Sequence, residues 1–272
     1  MRYAILGGDI RFAHLVQMLR ESGREAAGFL QGAAGEDHAL TELKNHSCII
    51  SNWPMKWPLS KAETAEAEIM ANIAPGSIML LCGPKFPANR RWDLQYINLW
   101  EDETLLRENA WLTAEAAVAS AAQKMHGSLR GVRCMVVGYG RIGRALTEIL
   151  LNLGAQVTVA SGKEGKRRQA QESGTEVTDT VEIAAALPGQ ALVFSTPPAM
   201  VLDQAALEQV HPEALLIDLA SPPYGIDLDA AHRLGLHAVR EPGLPGRYCP
   251  LSAARALFNA VIRWEESEFH EK

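Results

Sequence analysis

The residues best suited to chemistry form one run, Gly138-Tyr139-Gly140-Arg141-Ile142-Gly143, set between the apolar stretch Cys134 to Val137 and an amphipathic segment. A glycine turn between strand and helix offers backbone N–H groups and the positive end of the helix dipole to a pyrophosphate. Gly138 is expected to make the tight turn, Gly140 to let the pyrophosphate approach, and Gly143 to let helix and strand pack. The next strand, Val157-Thr158-Val159-Ala160, ends in Ser161-Gly162-Lys163, with no acid at its tip to hold an NAD ribose. Ser161 can hydrogen-bond a 2′-phosphate and Lys163 or Arg167 can neutralise it, so NADP is expected, with NAD held through Glu164 as the alternative. Lys166 and Arg168 fit a solvated helix face as well. Two later strand ends, Ser195-Thr196-Pro197-Pro198 and Leu219-Ala220-Ser221-Pro222, complete the dinucleotide site. They put Thr196, Pro197, Leu219, Ala220 and Ser221 where such sheets bind the nicotinamide half. Thr196 and Ser221 serve equally well as helix N-caps.

These residues need a doubly wound α/β scaffold, and the chain repeats its unit: an apolar run, a glycine turn, a helical stretch. In the first part strands are expected at Arg2 to Leu6, Glu25 to Leu30, Ser47 to Ile50 and Ser77 to Cys82, with helices at Ile10 to Glu21 and from Ser60 through Glu63, Glu66 and Glu68. Trp53 to Pro58 and Pro84 to Pro87 are too rich in proline for central strands and fit a pocket wall or a covered core edge. An alanine-rich helix from about Asp102 to Gly127, ended by Gly127 or Gly131, connects to five more strands, at Arg133 to Val137, Gln156 to Ala160, Ala191 to Ser195, Ala214 to Leu219 and Leu236 to Val239. The helices between them are expected at Ile142 to Leu153, Gly165 to Glu172, Val201 to Val210 and Asp229 to Leu234. The expected organisation is a substrate or partner α/β domain over 1–105, an interdomain helix over 106–130, an NADP-binding domain over 131–250, and a C-terminal helix over 251–272 that packs back. Two parallel-sheet Rossmann-like domains joined by a long helix is the fold class.

Composition narrows the function classes. At 272 residues, 47% apolar and 21% charged, the chain has a globular core to bury. A net charge of −6 supplies no basic field for nucleic acid. No apolar run approaches the ~20 residues that span a bilayer, and no signal peptide precedes Tyr3-Ala4-Ile5-Leu6. Cys48, Cys82, Cys134 and Cys249 are scattered without a paired motif, which points to reduced thiols and a cytoplasmic protein. No acid or cysteine cluster accompanies the histidines His14, His232 and His237, so no metal is expected.

The stretches GYGRIGRAL (138–146), STPP (195–198), IDLASPPYGID (217–227) and EPGLPGRYCPLSAA (241–254), with ILGGDIR (5–11) and ENAWLTAEAA (108–117), give the chain a resemblance to the A-type subunits of dipicolinate synthase. It departs from that family in Leu112-Thr113-Ala114-Glu115-Ala116, which keeps Thr113 and Glu115 without the usual proline and glycine, and in SPPYG. The resemblance implies NADP-dependent oxidation of a dihydro- or hydroxytetrahydrodipicolinate to pyridine-2,6-dicarboxylate. It also implies a role in spore formation, in the mother cell, beside a second, smaller, flavoprotein-like subunit. The two-domain layout resembles 2-hydroxyacid dehydrogenases too, but Glu241-Pro242 is followed by no histidine until His270, which argues against hydroxy-acid chemistry.

A ring dianion needs carboxylate anchors. Gly7-Gly8-Asp9 forms a second backbone nest at a strand end, and Arg11 in the first helical turn can grip a carboxylate; the alternative is a tight turn beside a solvated arginine. Asn109 and Thr113 share one face of the connector helix, and Glu115, on another side, is expected in a structural ion pair. The Pro242 to Gly246 loop either places Arg247 over the ring or only steers the chain into the last helix. Asp9, Ser221 or water would accept the ring proton, and positioning would supply most of the catalysis. The competing readings are an NADP(H)-binding regulatory or scaffold protein and another two-domain NADP-dependent dehydrogenase. The close-packing connector helix also admits a homo-oligomer.

Overall fold

Alternating runs such as Tyr3-Ala4-Ile5-Leu6 and Met135-Val136-Val137 are apolar at every position, as strands covered on both faces must be. A computed structural model describes residues 1–29, 39–52, 62–83, 86–87 and 90–270. In chain order the first part holds β1 (Arg2–Leu6), α1 (Ile10–Glu21), β2 (Glu25–Phe29), β3 (Cys48–Ser51), α2 (Ala62–Ala71), β4 (Ile78–Leu81), β5 (Gln95–Asn98) and α3 (Glu103–Met125). There follow β6 (Arg133–Val137), α4 (Arg141–Asn152), β7 (Gln156–Ala160), α5 (Glu164–Glu172), β8 (Glu176–Thr178), α6 (Ile183–Ala186) and β9 (Leu192–Ser195). The chain closes with α7 (Gln204–Leu207), β10 (Leu215–Asp218), α8 (Leu228–Arg233), β11 (His237–Arg240), α9 (Leu244–Tyr248) and α10 (Pro250–His270).

Two compact units result, Met1–Asn109 with Cys249–Lys272, and Ala110–Tyr248. In the first, five parallel strands run in the order β2-β1-β3-β4-β5, the flavodoxin-like arrangement. One face buries Tyr3, Ile5, Cys48 and Ile50 under α1 and under Leu257, Val261 and Trp264 of α10, so the C-terminal helix does pack back. The other buries Ala4, Leu6, Ile49 and Met79 against Ile69 and Ile73. In the second unit six parallel strands run β11-β10-β9-β6-β7-β8, the doubly wound dinucleotide-binding order. Ala114, Ala117 and Ala121 of α3 lie on Val136, Phe194 and Ile217, where their small size permits close approach to the sheet. Val137, Val193 and Leu216 face Leu202, Leu207 and Ala230 on the opposite side. Both expected Rossmann-like sheets are therefore present.

Some local expectations fail for local reasons. β5 and β8 escape the sequence pattern: the first is half-polar, and the second is only three residues long. The helix expected over Val201 to Val210 shrinks to α7, because Leu202 pairs as a bridge with Ile226 and Asp203 caps the helix by accepting from the Ala206 N–H. Residues Leu244–Tyr248, expected as loop, coil into α9, where Pro245 in the first turn sacrifices no hydrogen bond. Helix α3 ends at Met125, and His126 takes the left-handed conformation (φ 50°) expected of a following glycine. Ser60, Trp53 to Pro58 and Pro84 lie outside the described residues, as does the side chain of Glu63. Among the described residues no helix is long and apolar enough to cross a membrane.

Asp102 starts α3. Its Oδ1 accepts from the N–H groups of Thr104 (2.8 Å) and Leu105 (3.0 Å), and its Oδ2 meets Arg263 of α10 at 2.7 Å. Burial pushes this carboxyl up, but the Leu105 N–H and Arg263 outweigh it and hold the group below its ordinary value. A carboxylate depressed on folding adds stability above its unfolded pKa of about 3.9, and that stability is lost as pH falls through the lower folded value. Asp102→Ala should cost about 1–2 kcal/mol at pH 7, from the lost cap and a partly exposed ion pair. Urea unfolding checks this: the gap between wild type and variant should narrow below about pH 4, and a gap constant with pH contradicts it.

Candidate functional site

The strand-to-helix turn after β6 has the shape a pyrophosphate needs. Gly138 sits at φ +89°, closed to ordinary residues, and a Cβ there would lie 2.5 Å from the Thr196 hydroxyl. A Cβ on Gly143 would stand 2.1 Å from the Gly138 carbonyl oxygen, so only glycine lets α4 pack this close to the turn. Gly140 is different. It is the exposed N-cap of α4, in extended conformation, and nothing lies within 4 Å of where its Cβ would be. The turn is closed where the protein packs on itself and open where a ligand's phosphates would meet the helix N-terminus, which fits a dinucleotide. Ile142 packs into the core beneath the turn, and Arg141 is exposed in the first helical turn. The Tyr139 side chain turns away, its hydroxyl 3.2 Å from that of Ser173 and its ring beside Arg144.

At the end of β7, Ser161 is buried and its hydroxyl accepts from the Lys163 N–H, while the Lys163 side chain is exposed. Arg167 braces this loop: one Nη donates to the Ser161 carbonyl and meets Asp179, both at 2.6 Å. Thr196 caps no helix. Its hydroxyl donates to the Val137 carbonyl at 2.9 Å and so clamps the β9 loop over Gly138, with Pro197 beside it. Ser221 is likewise not a cap, since Asp227 caps α8; it is exposed, and its carbonyl accepts from Tyr224.

Asp218, which falls within the stretch 217–227 but is assigned no role from the sequence, holds this last loop. Asp218, fully buried at the end of β10, accepts from the N–H groups of Ala220 (3.1 Å), Gly225 (3.3 Å) and Ile226 (3.3 Å). Strand register sets Asp218 between Ser195 of β9 and Arg240 of β11. Arg240 Nε lies 3.5 Å from Asp218 Oδ2, and its guanidinium stacks 3.5 Å from the centre of the Tyr224 ring. The available signal was an acid closing the otherwise apolar run Leu215 to Ile217. Leu219 is half-buried and Ala220 buried behind the loop.

Arg247, expected either over a ring or in a loop that only steers the chain, pairs with a carboxylate. Glu241, buried at the end of β11, meets Arg247 at 2.6 Å, Lys124 of α3 at 2.7 Å and the Ser120 hydroxyl at 3.0 Å. Burial pushes Glu241 up, but Lys124, Arg247 and Ser120 more than reverse this, so it stays ionised and orients Arg247. Thr113 is buried on α3, and Asn109, one turn earlier, is half-buried. Glu115 is exposed and has no ion pair among the described residues, which corrects the expected structural pair.

In the first unit, Gly7 and Gly8 take positive φ (59° and 94°), and Asp9 caps α1 by accepting from the Arg11 N–H. Asp9 also grips the Arg11 side chain in a fork, Nε to Oδ1 and Nη2 to Oδ2, both 2.7 Å. The two residues are thus brought together, but on each other. Burial raises the Asp9 carboxyl, and the Arg11 bonds and charge overcome it to leave the group below its usual value. With both carboxylate oxygens bonded to the Arg11 guanidinium, Asp9 is the residue that aims Arg11.

The fold, the glycine turn and the family match over residues 97–222 support one class, an NAD(P)-binding, dehydrogenase-like α/β protein, an oxidoreductase. Residues 97–222 match the family described as D-isomer specific 2-hydroxyacid dehydrogenase, NAD binding domain. Within that class the resemblance to the A-type subunits of dipicolinate synthase holds from end to end. The chain is 26% identical to the dipicolinate synthase protein of this type from Bacillus subtilis (strain 168), across 97% of this chain and 95% of the relative. The crystal structure of the corresponding dipicolinate synthase chain from Bacillus subtilis shares the fold at a TM-score of 0.79, with 21% identity over 100% of this chain and 98% of that one. Its counterpart from Bacillus halodurans gives 0.78, with 20% identity over 97% of both chains.

Proposed function

We propose that this protein is the dehydrogenase-like subunit of a dipicolinate synthase. It oxidises dihydro- or hydroxytetrahydrodipicolinate to pyridine-2,6-dicarboxylate with NADP, in the cytoplasm of a spore-forming bacterium's mother cell. The observation that carries the reading is the end-to-end likeness to the dipicolinate synthase relatives, which extends beyond the nucleotide-binding residues that all such dehydrogenases need. A bound oxidised nicotinamide supplies the hydride acceptor. Dihydrodipicolinate yields one hydride and one proton on becoming aromatic, and the hydroxylated precursor loses water first.

The chain's own residues bind and orient. Gly138, Tyr139, Gly140, Arg141, Ile142 and Gly143 hold the pyrophosphate with backbone N–H groups and the α4 dipole. Ser161 and Lys163 take the 2′-phosphate from a loop that Arg167 keeps in shape. Thr196, Pro197, Leu219, Ala220 and Ser221 form the wall against the nicotinamide, and Ser221 or water takes the ring proton. Arg11, aimed by Asp9, keeps its Nη1 donors for a substrate carboxylate. Arg247, Asn109 and Thr113 are proposed as polar contacts to the substrate. The partner is a second, smaller, flavoprotein-like subunit.

Absorbance during incubation with hydroxytetrahydrodipicolinate made in situ, with and without a candidate small partner protein, tests the reading. NADPH and pyridine dicarboxylate should rise together with NADP⁺ and far more slowly with NAD⁺. Lys163→Ala should shrink the preference for NADPH over NADH about tenfold, the worth of one charge-assisted phosphate contact. No product from either dinucleotide while NADPH still binds would move the function to another substrate or to a regulatory role.

A further inference from the structure

Across the carboxyl ends of β9, β10 and β11, strand register lines up Ser195, Asp218 and Arg240 on one face. Arginine at such a place is usually consumed by its neighbours, and here it is not. Asp218 already accepts three backbone N–H bonds, and the Arg240 Nε, 3.5 Å from its Oδ2, is buried beside it with no hydrogen-bond partner among the described residues. Tyr224 covers one face of the guanidinium, in a left-handed residue (φ 72°) that the turn from Ser221 holds. The side chain is 29% exposed, while that of Asp218 is 0% exposed. The result is a cation fixed in direction by a carboxylate on its inner edge and an aromatic ring on its face. Among the described residues neither Nη group makes a hydrogen bond, and both lie on the carboxyl edge of the sheet whose β6 end carries the dinucleotide turn. A planar fork held this way matches a planar carboxylate, and a lysine would not reproduce it.

We infer that Arg240 is a substrate-binding residue, anchoring one carboxylate of a planar ring dicarboxylate, with Asp218 and Tyr224 as its positioning residues. The inference rests on the proposed dipicolinate synthase reading and names the part of the site that distinguishes a dicarboxylate from a monocarboxylate. The experiment measures binding of pyridine-2,6-dicarboxylate and of pyridine-2-carboxylate to the full chain by titration calorimetry in saturating NADPH, for wild type, R240Q and R240K. Wild type should prefer the dicarboxylate. In R240Q its affinity should fall about thirty- to hundredfold, the range of a lost charge-assisted fork, with monocarboxylate and NADPH binding within threefold of wild type. R240K, which keeps the charge and loses the fork, should fall about tenfold and serves as the readout if R240Q does not fold. Unchanged dicarboxylate preference in both variants overturns the role of Arg240 and leaves the enzyme reading intact. Wild type that binds neither ring acid overturns both.

Discussion

Gly140→Asp should leave the protein folded and remove its nucleotide binding. The two halves of that expectation come from the same place. Gly140 is the N-cap of α4 in ordinary extended backbone, and a side chain there meets nothing within 4 Å. Aspartate is one of the best N-caps and should hold or slightly raise the melting temperature. Its carboxylate would stand where the pyrophosphate must approach. Two like charges about 4 Å apart at an effective dielectric near 20 repel by ~4 kcal/mol, roughly a thousandfold in affinity. Fluorescence titration with NADPH, beside a thermal melt, separates the halves. Binding within tenfold of wild type in a folded variant would remove the dinucleotide from this turn. Substitution at Gly143 is the contrast: a Cβ 2.1 Å from the Gly138 carbonyl displaces the turn itself, so folding and binding fall together.

These glycines were legible because their constraint is local. A positive φ at Gly138, a close approach at Gly143 and an open face at Gly140 all follow from a strand running directly into a helix, and a spacing of a few residues records that. The parallel sheets were legible for the same reason, since strands buried on both faces are apolar throughout. What escaped is set by register between distant strands. Nothing in Ile217-Asp218-Leu219 says that Arg240 lies beside it, because the neighbour is chosen by how β10 and β11 align. Glu241 escaped as an orienting group for the same reason, its partners Ser120 and Lys124 arriving from α3. Asp9 and Arg11 were both legible as polar residues at a helix start, but not their mutual grip, which depends on a rotamer rather than a spacing. Short elements such as β8 and α9 sit below the length at which periodicity speaks, and capping and neighbouring strands decide them.

The second large effect falls on stability. Asp218→Ala should unfold the second unit more easily by about 3–5 kcal/mol, since it strips the acceptor from buried N–H groups of Ala220, Gly225 and Ile226 and leaves a cation beside the gap. For a unit of this size that is on the order of 10 °C in melting temperature. Asp218→Asn keeps one acceptor oxygen and should lose about half as much. Amide hydrogen exchange gives the local signature: Gly225 and Ile226 should lose protection before the strands do, because the loop and not the sheet depends on the carboxylate. Arg240→Gln makes the decisive comparison. It removes a 3.5 Å contact to a fully buried carboxylate but leaves all three amide bonds standing, so it should cost about 2 kcal/mol, well below Asp218→Ala. If Asp218→Ala melts within 3 °C of wild type, the loop is held by something else. If Arg240→Gln is as damaging as Asp218→Ala, the arginine is part of the scaffold and its Nη groups are not free to serve a ligand.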